Sequence, residues 1–412
     1  MALSAAALPH RALSRPLRIL MIAPTSFFAD YGCHVRILEE SRYLQSQGHQ
    51  VTICTYSAGR DLDDLTIHRA KGVPWRTAYE VGSSRHKIAM DALLALRVLR
   101  SMREVRPDVI HAHIHEGALI GLALARLGGY PLVCDLQGSM TSEMVDHHFV
   151  RNGSVAFRMF RRIEAYIVHK AEQILTSTAE NSRLLIQEFG CAASRVVHVP
   201  DCVNTEVFAP QPHDAQWEAY RASLGIPAGR KVVVYLGLLA KYQGTDLLLR
   251  AAAALCRRRG DVHFVLAGFP SVEHYGRMAE RLSISDHCSF PGKVPYEQAP
   301  RLLSQGDVAV SPKISATEGA GKILNYMAMA LPIVAFNTAV SREYLADLGT
   351  YAILADSDDL ARRLEETIDR PDRVELGMRL RQRARECYDW SRSGELILAA
   401  YAGQMSPPSL SN

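Results

Sequence analysis

The sequence predicts an α/β protein of two doubly wound domains whose parallel sheets face each other across a cleft. Apolar strand-like runs alternate with helical patterns along the chain, the signature of parallel sheets covered on both faces. The 412 residues exceed one ordinary core, given a usual domain size of about 100 to 200 residues. The alternation also breaks once, over residues 200–227, which are rich in Pro, Asp and polar residues, and then restarts.

Residues 17–23 (LRILMIA) are apolar apart from Arg18, as a strand buried on both faces requires, and Pro24 ends the run. A helix is predicted over 33–47, stopped by Gly48, followed by a strand over 50–56 (QVTICTY). The unit repeats as helix 87–103, strand 108–111, helix 117–127, strand 131–136, helix 156–170, strand 173–176, helix 180–189 and strand 195–199. A second series runs strand 231–236 (KVVVYL), helix 246–257, strand 262–267, helix 272–282 and strand 307–310. It closes with a helix entered through Glu318-Gly319-Ala320-Gly321 and strand 333–336. The domains are thus 17–203 and 204–388, with residues 1–16 a disordered tail and 404–412 a second tail. Two such domains bring the carboxyl ends of both sets of strands to one cleft, where ligands bind.

Composition excludes several functions. A formal charge of +4 is small for this length and gives no case for a nucleic-acid partner, although it suits an acidic small molecule or an anionic membrane surface. The eight cysteines contain no Cys-x-x-Cys pair, so they read as small buried hydrophobes of a reducing compartment. No uncharged apolar run reaches the roughly 18 residues of a membrane span, and the opening residues lack the continuous apolar centre of a signal peptide. Neither half carries Gly-x-Gly-x-x-Gly after its first strand, which argues against NAD chemistry. The glycines at 319 and 321 instead expose backbone N–H groups at a helix start, a natural seat for a phosphate.

The Tyr31-Gly32 turn, Leu44 before Gly48-His49, the strand PDVIHAH at 107–113, VHVPDCVNTEVF at 197–208, and Tyr388-Asp389-Trp390 before a last helix together resemble glycosyltransferase family 4, and the likeness runs from Arg18 to about Tyr401. The resemblance implies the GT-B fold, two Rossmann-like domains, with helix 389–403 crossing back to complete the first. It also implies a retaining, nucleotide-sugar-dependent glycosyltransferase (EC 2.4), with the donor on the second domain and the acceptor on the first. Carried over, Glu318 faces the donor sugar, and Gly319 and Gly321, with Ala320 between them, offer amides to sugar and phosphate oxygens. Asn325 replaces the acid that holds the ribose, at a spacing one residue short of the family pattern. The donor side further takes in Gly237, Lys241, Gln243 and Gly268, and the acceptor side Tyr31, Gly32, His113, His115, Glu116 and Gln137.

Where the family has an Arg and a Lys that neutralise the leaving diphosphate, this chain has Leu238 and Gln243. Lys313 or Lys322 is expected to supply the missing charge as a catalytic residue beside Glu318, with Gln243 giving a neutral hydrogen bond. Gln137, standing where many members have a His, cannot act as a general base. The missing charges leave as alternatives a degenerate sugar-nucleotide-binding or scaffold protein, or an epimerase or phosphorylase on the same architecture. The expected partners are a UDP- or GDP-linked sugar and a glycan, lipid or small-molecule acceptor, with no cofactor and no catalytic metal.

His111, His113 and His115 alternate, so a continuing strand would put them on one face. With His147 and His148 they match no known ligand spacing and are expected to line the acceptor side or pack under it. Glu116, Glu143 and Asp146 are candidates for acceptor hydroxyls. The basic and apolar residues of 85–106 have helical spacing, suited to a core-facing helix with a solvated side or to an anionic membrane. The expected location is cytoplasmic, with peripheral contact at the inner face of the membrane.

Overall fold

The computed structural model describes residues 15–30, 32–73, 87–146, 149–315 and 318–405. Tyr31, His147 and His148 lie outside the described residues, as do residues 85 and 86 of the basic stretch.

The first domain runs β1 (Arg18–Ala23), α1 (Gly32–Ser46), β2 (Gln50–Thr55), β3 (Thr66–Arg69), α2 (Lys87–Val105), β4 (Val109–His113), α3 (Ile114–Gly128), β5 (Leu132–Leu136), α4 (Met140–Asp146), α5 (Val155–Lys170), β6 (Gln173–Thr176), α6 (Ala179–Gln187) and β7 (Val196–His198). Its seven strands are all parallel, in the order β3-β2-β1-β4-β5-β6-β7. The second runs α7 (Ala215–Ser223), β8 (Lys231–Leu236), α8 (Thr245–Cys256), β9 (Val262–Ala267), α9 (Val272–Arg281), β10 (Cys288–Gly292), α10 (Ala299–Leu303), β11 (Val308–Ser311), α11 (Gly321–Ala328), β12 (Ile333–Phe336), α12 (Ala339–Leu345), β13 (Thr350–Ala352), α13 (Ser357–Ile368) and α14 (Arg373–Cys387). Its parallel order is β10-β9-β8-β11-β12-β13. Strand order reverses beside β1 and β4 in one sheet and beside β8 and β11 in the other, and at such switch points the connecting loops part to leave a crevice.

The elements absent from the sequence reading are the short or polar ones. β3 is a four-residue edge strand (TIHR) with no fully buried residue, and β10 contains a proline. α7 falls inside the stretch read as a break, where Asp214 caps it by accepting from Gln216 and Trp217 N–H. Arg15 does not belong to a loose tail: its guanidinium lies 2.7 Å from Asp108, which Arg18 also engages.

After α14 the chain returns to the first domain. Val203 N–H donates to Tyr388 O at 2.9 Å, and α15 (Trp390–Met405) then packs on α1. Gly394 makes that approach possible, since a Cβ there would stand 2.0 Å from the Tyr43 ring. A second tie is the core shared by the domains, where Tyr296 lies edge-on to Phe28 and its hydroxyl donates to Glu39 at 3.2 Å. Lys293 and Arg60 add ion pairs to Asp30 at 3.0 Å each. All eight cysteines are free thiols.

Candidate active site

Between the carboxyl ends of the two sheets lies a cavity of about 330 Å³ lined by both domains. The first contributes Gly32, His115, Glu116 and Gln137. From the second come Gly237, Gln243 and Gly268 at the ends of β8 and β9, Lys313 after β11, and Glu318 through Lys322 with Asn325 from the turn and α11. Two residues expected there are elsewhere. Lys241 is exposed on a short 3-10 turn outside the cavity, while Gln243, two residues on, turns inward and is buried. His113 is fully buried beneath the floor.

On the donor side, close neighbours leave no room for a side chain at Gly319 or Gly268, whereas Gly321 stands in open space. A Cβ on Gly319 would lie 2.2 Å from Asp201 Oδ2, and one on Gly268 would lie 1.7 Å from Gly237 O. Lys313 Nζ stands 2.7 Å from Glu318 Oε2 and donates to Gly319 O at 2.6 Å, so this cation fixes the turn and its acid. Lys322, on the first turn of α11, reaches the end of β8 instead. Its Nζ donates to Gln243 Oε1 at 2.8 Å and to Tyr235 OH at 3.0 Å, above the Tyr235 ring. Burial, reinforced by Lys313, lowers its pKa to about 7. Asn325 faces the cavity, whereas Tyr326, eight residues after Glu318, is buried and bonded through its hydroxyl to the Leu236 backbone.

On the first-domain wall, β4 ends at His113 and Ile114 takes a positive φ of 52°, so His115 belongs to α3 and leaves the strand face shared by His111 and His113. His115 Nε2 lies 3.6 Å from Glu164 Oε1. Burial opposes the ionisation of Glu164, but its bonds from His115 and Thr141 outweigh this and hold its pKa down at about 2. Glu116 is paired with Lys87 at 3.0 Å. Gln137 donates to Asp135 at 3.1 Å. Glu143 packs where a side chain on Gly138 would be, 2.0 Å from the ideal Cβ. Burial and then the facing Glu318 push its pKa well above the usual carboxylate range. Two carboxyl groups therefore confront each other across the cleft.

Beneath this wall sits a charge network absent from the sequence reading. Arg36 forks onto Asp135 at 3.0 and 3.1 Å, reaches Asp201 Oδ1 at 3.0 Å and lies 3.0 Å from Glu40. Burial opposes the charge on Asp135, but Arg36 and His113 outweigh it and hold this acid far below its ordinary pKa. Burial dominates at Glu40 and raises its pKa. Asp201 links the network to the Gly319 turn. The available signal was Arg36 and Glu40 on the core side of α1, among Ile37, Leu38 and Leu44. His111 stacks on His113 at 4.3 Å and bonds Tyr401 OH at 2.7 Å. Glu40, His111, His113 and Asp135 have ligand-capable atoms within 4.8 Å of one another, yet Arg36 already provides the positive charge among their carboxylates.

Residues 31–202 match the glycosyl transferase 4-like domain, and residues 216–387 match glycosyl transferases group 1. The chain is 25% identical over 392 residues to a D-inositol 3-phosphate glycosyltransferase of Mycolicibacterium smegmatis, covering 91% of this chain and 87% of that one. Its fold resembles sucrose-phosphate synthase from Thermosynechococcus elongatus, with a TM-score of 0.77, 17% identity and coverage of 95% and 98%. It also resembles Anabaena Alr3699/HepE in complex with UDP-glucose, with a TM-score of 0.74, 15% identity and coverage of 94% and 100%.

Proposed function

Since the chain belongs to the family 4 glycosyltransferases of GT-B fold, we propose that it moves a sugar, with retention of anomeric configuration, from a nucleoside-diphosphate sugar to an acceptor hydroxyl. The observation that carries this reading is the position of Lys322. A cation on the first turn of α11 bonds Gln243, the residue standing where the family's diphosphate-binding Lys is missing. The positive charge is thereby retained at the end of β8 while its side chain comes from another element.

The donor diphosphate lies against Lys322 and the amides of the 319–321 turn, and Asn325 bonds the ribose. Glu318, held by Lys313, accepts hydrogen bonds from the sugar. Lys313 is thus a positioning residue, because its ammonium bonds Glu318 and Gly319. As the bond from anomeric carbon to phosphate oxygen breaks, its electron pair leaves with the diphosphate. Lys322 and the turn amides stabilise that charge. The acceptor oxygen bonds the same face of the anomeric carbon, and its proton passes to the departing phosphate oxygen. Gln137 and His115 orient the acceptor, a glycan, lipid or small molecule. UDP-linked sugars are the first donors to test, since Alr3699/HepE was solved with UDP-glucose.

The test is release of nucleoside diphosphate from a panel of UDP-, GDP-, ADP- and TDP-sugars, with the product anomer read by NMR. Release from one donor class with a retained anomer supports the reading. An inverted anomer, or tight donor binding without release against any acceptor, overturns it.

A further inference from the structure

A departing diphosphate carries more charge than one ammonium answers. On the donor wall Lys313 is engaged with Glu318 and Gly319, and Leu238, which also lines the cavity, is aliphatic. Tyr242 lines the same wall.

Tyr242 is the middle residue of the 3-10 turn Lys241–Gln243 that follows β8. Hydrogen bonds close this turn, from Gln243 N–H to Ala240 O at 3.1 Å and from Gly244 N–H to Lys241 O at 2.9 Å. Gly244 takes a left-handed φ of 76° and lies against the chain after β11, where a Cβ would stand 1.9 Å from Pro312 O. The backbone that carries Tyr242 is therefore fixed beside the strand end that bears Lys313. Lys241 is exposed and Gln243 buried, and Tyr242 between them is half-buried at the cavity.

The Tyr242 hydroxyl bonds the Gln243 side chain, whose Oε1 accepts from Lys322. A phenol oxygen that accepts from an amide N–H keeps its own proton to give. Burial, and then the charges of Glu318 and Glu143, raise the pKa of Tyr242, so that proton stays on the oxygen. The hydroxyl thus stands between the cation at the end of β8 and the two carboxyl groups that confront each other across the cleft. In the transfer reaction Lys322 meets the diphosphate and Glu318 the sugar, and between them lies the phosphate that carries the sugar.

On that reading of the site, we propose that Tyr242 is a further catalytic residue, whose hydroxyl donates a hydrogen bond to an oxygen of the phosphate bonded to the sugar. The bond strengthens as the anomeric carbon to oxygen bond breaks and its electron pair moves onto that phosphate. The phenol transfers no proton. The proton of the acceptor hydroxyl still passes to the departing phosphate oxygen.

Tyr242→Phe keeps the ring and removes the donor. UDP and UMP, or the diphosphate and monophosphate of whichever base the donor panel selects, are titrated calorimetrically into wild type and variant. Loss of a bond to the second phosphate should weaken diphosphate binding at least about fivefold and leave monophosphate binding within about twofold. Donor turnover at saturation should fall at least about tenfold, by more than KM rises, with the melting temperature unchanged. Equal weakening of both nucleotides overturns the proposal, since a disturbed turn would act on both. So does an unchanged diphosphate Kd or an unchanged kcat. Any of these results leaves the transfer reaction standing, because wild type still binds and turns over the donor. A wild type that binds neither nucleotide overturns the transfer reaction, and this assignment with it.

Discussion

Nucleotide affinity should fall with pH above neutrality because of Lys322. Its pKa is lowered to about 7 by burial and by Lys313. A diphosphate placed on Nζ favours the charged form and raises that pKa in the complex. Binding above pH 7 must therefore take up a proton. Each further pH unit costs about a factor of ten, or ~1.4 kcal/mol, until the pKa of the complex is reached. The second phosphate ionisation, near pH ~6, lies below this window. Tyr235 and Tyr242, which also face the group, have pKa values raised by burial and stay protonated throughout. The assay is calorimetric titration of the preferred nucleoside diphosphate from pH 6 to 9 in buffers of different ionisation enthalpy. Uptake of about 0.9 proton is expected at pH 8, with Kd weakened about tenfold from its value at pH 6. Lys322→Gln should bind more weakly at pH 6 and show no such slope, while Glu143→Gln, altered on the facing wall, should keep it. A flat wild-type profile, or the same slope in Lys322→Gln, would refute the assignment.

Restoring the family arrangement should rescue the lost cation: Lys322→Gln with Gln243→Lys should recover at least about tenfold of the turnover lost in Lys322→Gln alone. Turnover of the double variant no higher than that of the single one would show that Lys322 acts by some other route. Gly319→Ala brings a Cβ to 2.2 Å from Asp201 Oδ2, so donor turnover should drop by at least about tenfold while far-UV circular dichroism is unchanged. Arg36→Met leaves Asp135 and Asp201 facing each other without their cation, and urea unfolding should register a loss of about 3 to 5 kcal/mol. A loss under about 1 kcal/mol would mean that the network contributes little beyond packing.

Much of the fold was legible because parallel strands and amphipathic helices write their burial into adjacent letters. β1 emerges from LRILMIA one residue shorter, β8 from KVVVYL with its bounds unchanged, and α11 starts at the second glycine of the turn. β3 and β10 were not legible, since a short strand at a sheet edge carries little apolar pattern. In the site, Glu318, Gly319, Gly321 and Asn325, read along a single stretch, line the cavity together. The Arg36 network was hidden because Asp135 and Asp201 are 99 and 165 residues away, and only folding brings them together. The alternating histidines part for a local reason: the positive φ at Ile114 ends the strand, so His115 reaches the cavity while His113 stays beneath it.

The most direct measurement is nucleoside diphosphate release and product stereochemistry for wild type and Lys322→Ala with the same donor panel. Turnover of one donor with a retained anomer is expected, falling by about 10²–10³ in the variant. An unchanged rate in Lys322→Ala, or an inverted product, would contradict the assignment of the leaving-group charge to that residue or of retention to this site.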